Sequence, residues 1–120
     1  RVERYQAFQF ANRYLNDGVV LTVDQRSYYI DGPTYQNHWG MKNISGKTLR
    51  AQRAWLKENN IKYLLLPITY MSESGALAEE LMPMFRLWEK TPGFLKRIET
   101  LEMHRTRSSG AETVEIYEVL

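Results

Sequence analysis

Two short runs of nearly unbroken apolar residues stand out along the chain, Val19-Val20-Leu21-Thr22-Val23 and Ile61-Lys62-Tyr63-Leu64-Leu65-Leu66. Neither alternates strictly, which is the pattern of a strand covered on both faces. Pro67 follows the second run and ends it, because proline has no amide to give to a ladder. Elsewhere the rhythm is helical. Tyr5, Phe8, Ala11 and Leu15 recur at turn spacing between Val2 and Asn16, with Phe10 and Tyr14 widening the stripe, and Asn16-Asp17-Gly18 stops it. A second helix is predicted from an N-cap at Ser45 to about Asn59, carrying Leu49, Ala51, Ala54, Trp55 and Leu56.

After a Ser/Gly-containing loop, Leu77, Leu81, Met84, Phe85 and Trp88 predict a third helix. Proline inside a helix costs about 3 kcal/mol unless it lies in the first turn, so Pro83 predicts a kink or a restart near Met82. Phe94 to His104 and Thr113 to Val119 read as an antiparallel pair around Arg107-Ser108-Ser109-Gly110. The stretch from Asp24 to Ser45 is polar and aromatic, broken by Gly32-Pro33 and Gly40. It predicts mostly a long ordered loop, with a short strand or turn near Tyr28 to Ile30.

Strand, helix, strand in this order implies a right-handed crossover and a parallel pair. The expected fold is therefore α/β, a three-layer Rossmann-like sandwich with a parallel core pair and a C-terminal antiparallel hairpin. At 120 residues, 43% hydrophobic and 25% charged, the chain fits one soluble globular domain. It opens on Arg1 rather than Met, which we read as the mark of a fragment excised from a longer protein.

Charge and composition narrow the chemistry. Sixteen basic against fourteen acidic side chains leave a net charge of +2, too little to predict a nucleic-acid partner without a clustered basic face. The nearest cluster, Lys96, Arg97, His104, Arg105 and Arg107, is diluted by Glu99 and Glu102 and reads as a solvated strand face. There are no cysteines and only two histidines, so neither disulfides nor a metal site is expected. No apolar run reaches the roughly 20 residues that span a bilayer. Asp24-Gln25-Arg26 follows the first strand where a phosphate-binding protein would carry glycines, so no nucleotide cofactor is expected. The adjacent Glu79 and Glu80 diverge by about 100° on a helix and read as favourable charge near a helix start rather than as a catalytic dyad. Met82 and Met84 read as core filler.

In open α/β sheets ligands bind beyond the carboxyl ends of the strands. Asp24, Gln25 and Arg26 emerge there, followed by Tyr28, Tyr29, Tyr35, His38 and Trp39, with Thr69 and Tyr70 leaving the second strand beside them. These ten residues form the candidate ligand site, since guanidinium suits anions and aromatic faces suit sugar rings. The competing expectation is that the aromatics pin a long loop to the sheet, with Arg26 paired to Asp24 or Asp31. Asp24, Arg26 and His38 would be the acid-base set of a small enzyme.

Several segments together resemble a known family. They are Tyr14-Leu15-Asn16 closing a helix, the Val-rich strand, Arg26 followed by Tyr28-Tyr29 and Asp31, Leu56-Lys57-Glu58-Asn59-Asn60, Ile61 to Leu66, and Val114-Glu115-Ile116-Tyr117-Glu118-Val119. From about Tyr5 to Val119 the chain resembles the C-terminal soluble tail of multi-spanning GT-C type glycosyltransferases, those similar to protein O-mannosyltransferases and aminoarabinose transferases. The resemblance implies a parent that uses a polyprenyl-phosphate-linked sugar, with this tail on the extracytoplasmic side. The implied partners are the transmembrane region of its own parent, a lipid-linked sugar, or a glycan or protein acceptor. The family's catalytic carboxylate lies near the start of the parent chain and has no counterpart here, which implies a non-catalytic domain. A free-standing α/β ligand-binding or regulatory module is the alternative expectation.

Overall fold

A computed structural model describes residues 6–24, 27–104 and 110–120. The first helix, α1 (Gln6–Tyr14), buries Ala7, Phe8 and Ala11, and the chain then enters β1 (Val19–Thr22). A 3-10 turn at Ser27–Tyr29 leads to a two-residue strand, β2 (Thr34–Tyr35). Helices α2 (His38–Ser45) and α3 (Leu49–Glu58) follow, then β3 (Ile61–Pro67). Three short helices come next, α4 (Ile68–Glu73), α5 (Gly75–Glu80) and α6 (Met82–Lys90). Strands β4 (Leu95–His104) and β5 (Ala111–Val119) close the fold.

The five strands make one sheet in the order β2-β1-β3-β5-β4. β1 runs parallel to both β2 and β3, with Leu21 opposite Tyr35 on one side and Leu64 on the other. β5 pairs antiparallel with β3, placing Leu65 opposite Ile116, and with β4. The expected parallel core and antiparallel hairpin are therefore present. The parallel part has a third strand, β2, that the pattern of Asp24 to Ser45 conceals.

Successive strand residues point to opposite faces, and the two apolar runs serve both. Val20, Leu65, Val114 and Ile116 meet Ala7, Phe8, Ala11 and Leu15 on one side. Leu21, Leu64, Leu66 and Tyr117 meet Met41, Leu56, Met71, Phe85 and Trp88 on the other. These are the three layers: α1, the sheet, and helices α2 to α6.

Several expectations need correction. Asp24 to Ser45 is not mostly loop, because α2 occupies its second half, capped by Asn37 Oδ1 accepting from the Gly40 amide at 3.2 Å. Ser45 caps no helix start. It is the last residue of α2, its hydroxyl donating to the Lys42 carbonyl, and Thr48 caps α3 by accepting from the Ala51 amide. The segment after Pro67 is helical as α4 rather than loop. Glu79 and Glu80 lie at the end of α5, not near a start. The break expected at Pro83 is present: α5 stops at Glu80, and α6 begins at Met82 with the proline in its first turn. Asn59 and Asn60 close α3 as expected, Asn60 at φ 55 in the left-handed region that asparagine tolerates. Tyr5, the Arg107 to Ser109 turn, Arg105 and the pairing of Arg26 lie outside the described residues.

Candidate functional site

The chain leaves β1 toward β2 and leaves β3 toward the β5-β4 side, so the carboxyl ends of β1 and β3 flank the point where connections diverge. Asp24 is buried there, with Thr69 and Tyr70 on the neighbouring strand's exit. Gln25 and Arg26 lie outside the described residues. The polar groups of the β3 exit are engaged in holding the fold. Glu112 of β5 accepts from the Thr69 and Tyr70 amides at 2.8 and 3.0 Å, capping α4 with a carboxylate, and the Thr113 amide donates to Thr69 Oγ1 at 3.1 Å.

The aromatic residues divide between the two faces. Tyr29 stacks on Phe8 of α1 at 5.9 Å and against Tyr28 at 4.5 Å. Asn12 fastens this turn by donating to the Tyr29 carbonyl and accepting from the Asp31 amide. Tyr28 itself is 72% exposed, and Tyr70 is also exposed. Tyr35 lies on the opposite face, edge-on to Trp55 at 5.1 Å, and burial raises its phenol above the ordinary value.

Gly40 depends on that tyrosine. A Cβ there would overlap the Tyr35 hydroxyl oxygen and stand 3.1 Å from its Cζ. Gly40→Ala gains about 1 kcal/mol of helix propensity but forces Tyr35 or α2 to move, a strain of about 1–3 kcal/mol. Urea unfolding should show a net loss, and Tyr35→Phe should recover part of it. A stabilised Gly40→Ala protein would mean that α2 is not held against Tyr35.

His38 and Trp39, the first two residues of α2, line a groove of about 190 Å³ together with Lys42, Ala76, Leu77, Glu80 and Leu81. Helical geometry dictates the arrangement: Met41 and Ile44 face the core, which leaves His38, Trp39 and Lys42 on the outer side. The Lys42 ammonium lies 5.6 Å from the centre of the Trp39 ring and 3.1 Å from the Glu80 carboxylate, tying α2 to α5. Leu77 and Leu81 are buried and form the floor. Of the ten expected residues, this groove unites His38 and Trp39. Lys42 and Glu80 were not anticipated, although an N-cap at Asn37 would have placed Lys42 one turn after Trp39.

Strongly shifted titrations often mark functional sites, but here they lie elsewhere. Arg86 and Arg97 bind Glu89 and Glu115 between α6 and the sheet, and the Tyr117 hydroxyl lies 2.8 and 2.7 Å from the two carboxylates. Burial, then these hydrogen bonds, push Tyr117 far up. On the opposite face of the sheet, one register position away, Tyr63 donates to Asp17 at 2.5 Å, which raises Tyr63 to about 12 and lowers Asp17. Every one of these shifts moves a group further from neutrality. A general acid or base needs the reverse, so these clusters read as supports of the fold.

The chain matches no family model, no curated protein and no solved structure. Among the described residues no group of three or more histidine or acidic side chains could hold a metal ion, and no helix is long and apolar enough to cross a membrane.

Proposed function

We propose that this chain is the non-catalytic, extracytoplasmic part of a GT-C type membrane glycosyltransferase whose parent uses a polyprenyl-phosphate-linked sugar. Its role is to assist acceptor recognition or to stabilise the membrane part, and its first partner is the transmembrane region of its own parent. The observation that carries this reading is where the family-like segments fall in the fold. Val19 to Val23, Ile61 to Leu66 and Val114 to Val119 supply the three adjacent strands β1, β3 and β5. Leu56 to Asn60 forms the end of α3 and the left-handed turn into β3. Tyr14-Leu15-Asn16 closes α1, and Tyr28 to Asp31 is the turn held by Asn12. The resemblance thus follows one continuous framework rather than scattered positions.

The hydropathy of the encoded chain upstream of Arg1 tests this. We expect several apolar segments of about 20 residues. An upstream region without them overturns the proposal. The second reading, a free-standing ligand-binding or regulatory module, is favoured by the groove at Trp39, and such an upstream sequence would leave it in place.

A further inference from the structure

We infer that the groove between α2 and α5 binds a single pyranose unit, its ring stacked on Trp39 and its hydroxyls held by Lys42 and Glu80. The inference deepens the accessory role proposed above and rests on it for biological context, while its chemistry rests on the groove alone.

Stability does not account for this arrangement. Trp39 is 78% exposed although it belongs to an eight-residue helix with only Met41 and Ile44 buried. The Lys42–Glu80 pair is about half exposed, and ion pairs of that kind contribute about 0–1 kcal/mol. What the residues do supply is a complete set of sugar contacts. The indole offers a flat, electron-rich face, which attracts the weakly positive C–H groups on the apolar side of a pyranose. Each sugar hydroxyl both donates and accepts, so two neighbouring hydroxyls need a donor and an acceptor side by side. An ammonium with three donors, 3.1 Å from an acceptor-only carboxylate, meets that need. His38 adds an imidazole at the rim, and Leu77 and Leu81 supply a dry floor.

Size and charge restrict the class further. A volume of about 190 Å³ is below the roughly 300–1,000 Å³ of drug-sized sites, which suits a single small ring rather than a larger ligand. Glu80 already neutralises Lys42, so a phosphate has no unpaired cation in the groove. A tryptophan used to enter a membrane surface would be poorly served by a carboxylate in the same groove.

Saturation-transfer NMR on the 120-residue chain, with millimolar methyl α-mannopyranoside, methyl β-glucopyranoside and methyl β-galactopyranoside, tests the inference. At least one glycoside should receive saturation on its ring protons. Trp39→Ala should weaken it by at least about tenfold, Trp39→Phe should retain part, and Glu80→Gln should weaken it. The melting temperature of Trp39→Ala should move by no more than about 2 °C, as befits an exposed side chain. No transfer to any of the three, transfer unchanged in Trp39→Ala, or a Trp39 emission shift seen only with phosphatidylglycerol vesicles overturns it. Failure here with transmembrane segments upstream would leave the accessory role standing. Glycoside binding without such segments would overturn that role and keep the groove.

Discussion

Replacing Trp88 by Ala should lower the unfolding free energy by about 3–5 kcal/mol, the usual cost of removing a large buried aromatic. Against a typical total of about 5–15 kcal/mol this is a large fraction, and it corresponds to a fall of about 10–20 °C in Tm for a chain of this length. Trp88 has no exposed surface. It stacks on Phe94 at 5.4 Å and meets Phe85 edge-on at 5.5 Å. Its Nε1 donates to Gln52 Oε1 at 2.7 Å, and Gln52 Nε2 in turn donates to the Ile44 and Lys47 carbonyls at 3.1 Å each. One indole therefore joins α6, α3 and the end of α2 through a fully buried amide. Trp88→Phe should cost less, about 2 kcal/mol, because it keeps most of the ring packing but leaves the Gln52 oxygen without its donor. Urea unfolding of both variants measures this. Equal losses in the two would mean that the hydrogen bond, not the packing, carries the effect. Trp39→Ala provides the contrast, since the same substitution on an exposed ring should barely move the transition.

The contrast between the two tryptophans also indicates what the sequence could reveal. Strands β1 and β3 were legible because β-branched and leucine-rich runs with no polar face have few other uses. The α5–α6 break was legible because Pro83 enforces it. Helix α2 was not, because Gly40, Asn43 and Ser45 dilute its propensity and only Met41 and Ile44 meet the core, too few to set a period. The same short helix carries Trp39 and Lys42, so losing it hid the groove. Glu80 comes from a helix 38 residues further on, and no local pattern joins it to Lys42. Gln52 presents a related difficulty: a polar residue on a helix reads as exposed until its partners, Trp88 and the carbonyls at the end of α2, are known. The residues expected to gather at the carboxyl ends of the parallel strands divide. Tyr28 and Tyr29 go to the α1 face, Thr69 is engaged by Thr113, and His38 and Trp39 reach the groove.

Arg86→Leu should cost about 2–3 kcal/mol at pH 7, more than an exposed ion pair contributes, and the cost should shrink in acid. Arg86 Nη1 lies 2.9 Å from both Glu89 and Glu115, and Glu115 is only 8% exposed. Removing one partner of a buried pair typically costs about 3–5 kcal/mol. Because a third of the Arg86 side chain is exposed, water screens part of the interaction and the lower estimate applies. Arg97 stays within 2.5 Å of Glu89 but 3.9 Å from Glu115, so it cannot fully replace the lost cation.

The pH dependence follows from Glu89. Burial alone would raise its carboxyl, but hydrogen bonds from Tyr117, Arg97 and Arg86 outweigh burial and hold it below its ordinary 4.5. A carboxyl depressed in the folded state stabilises the protein fully above its ordinary value, and that stabilisation is lost as pH falls through the lower folded value. Arg86→Leu removes part of the downward pull, so the variant has less of this stabilisation to lose. The gap between the two proteins should therefore narrow as pH drops below about 4.5. Urea unfolding at several pH values between about 7 and 3 would show the convergence, and a gap independent of pH would mean that Arg86 acts through the packing of its stem. Adding Glu115→Leu to Arg86→Leu should restore stability toward the parent, because two apolar side chains in place of a buried pair leave no uncompensated charge.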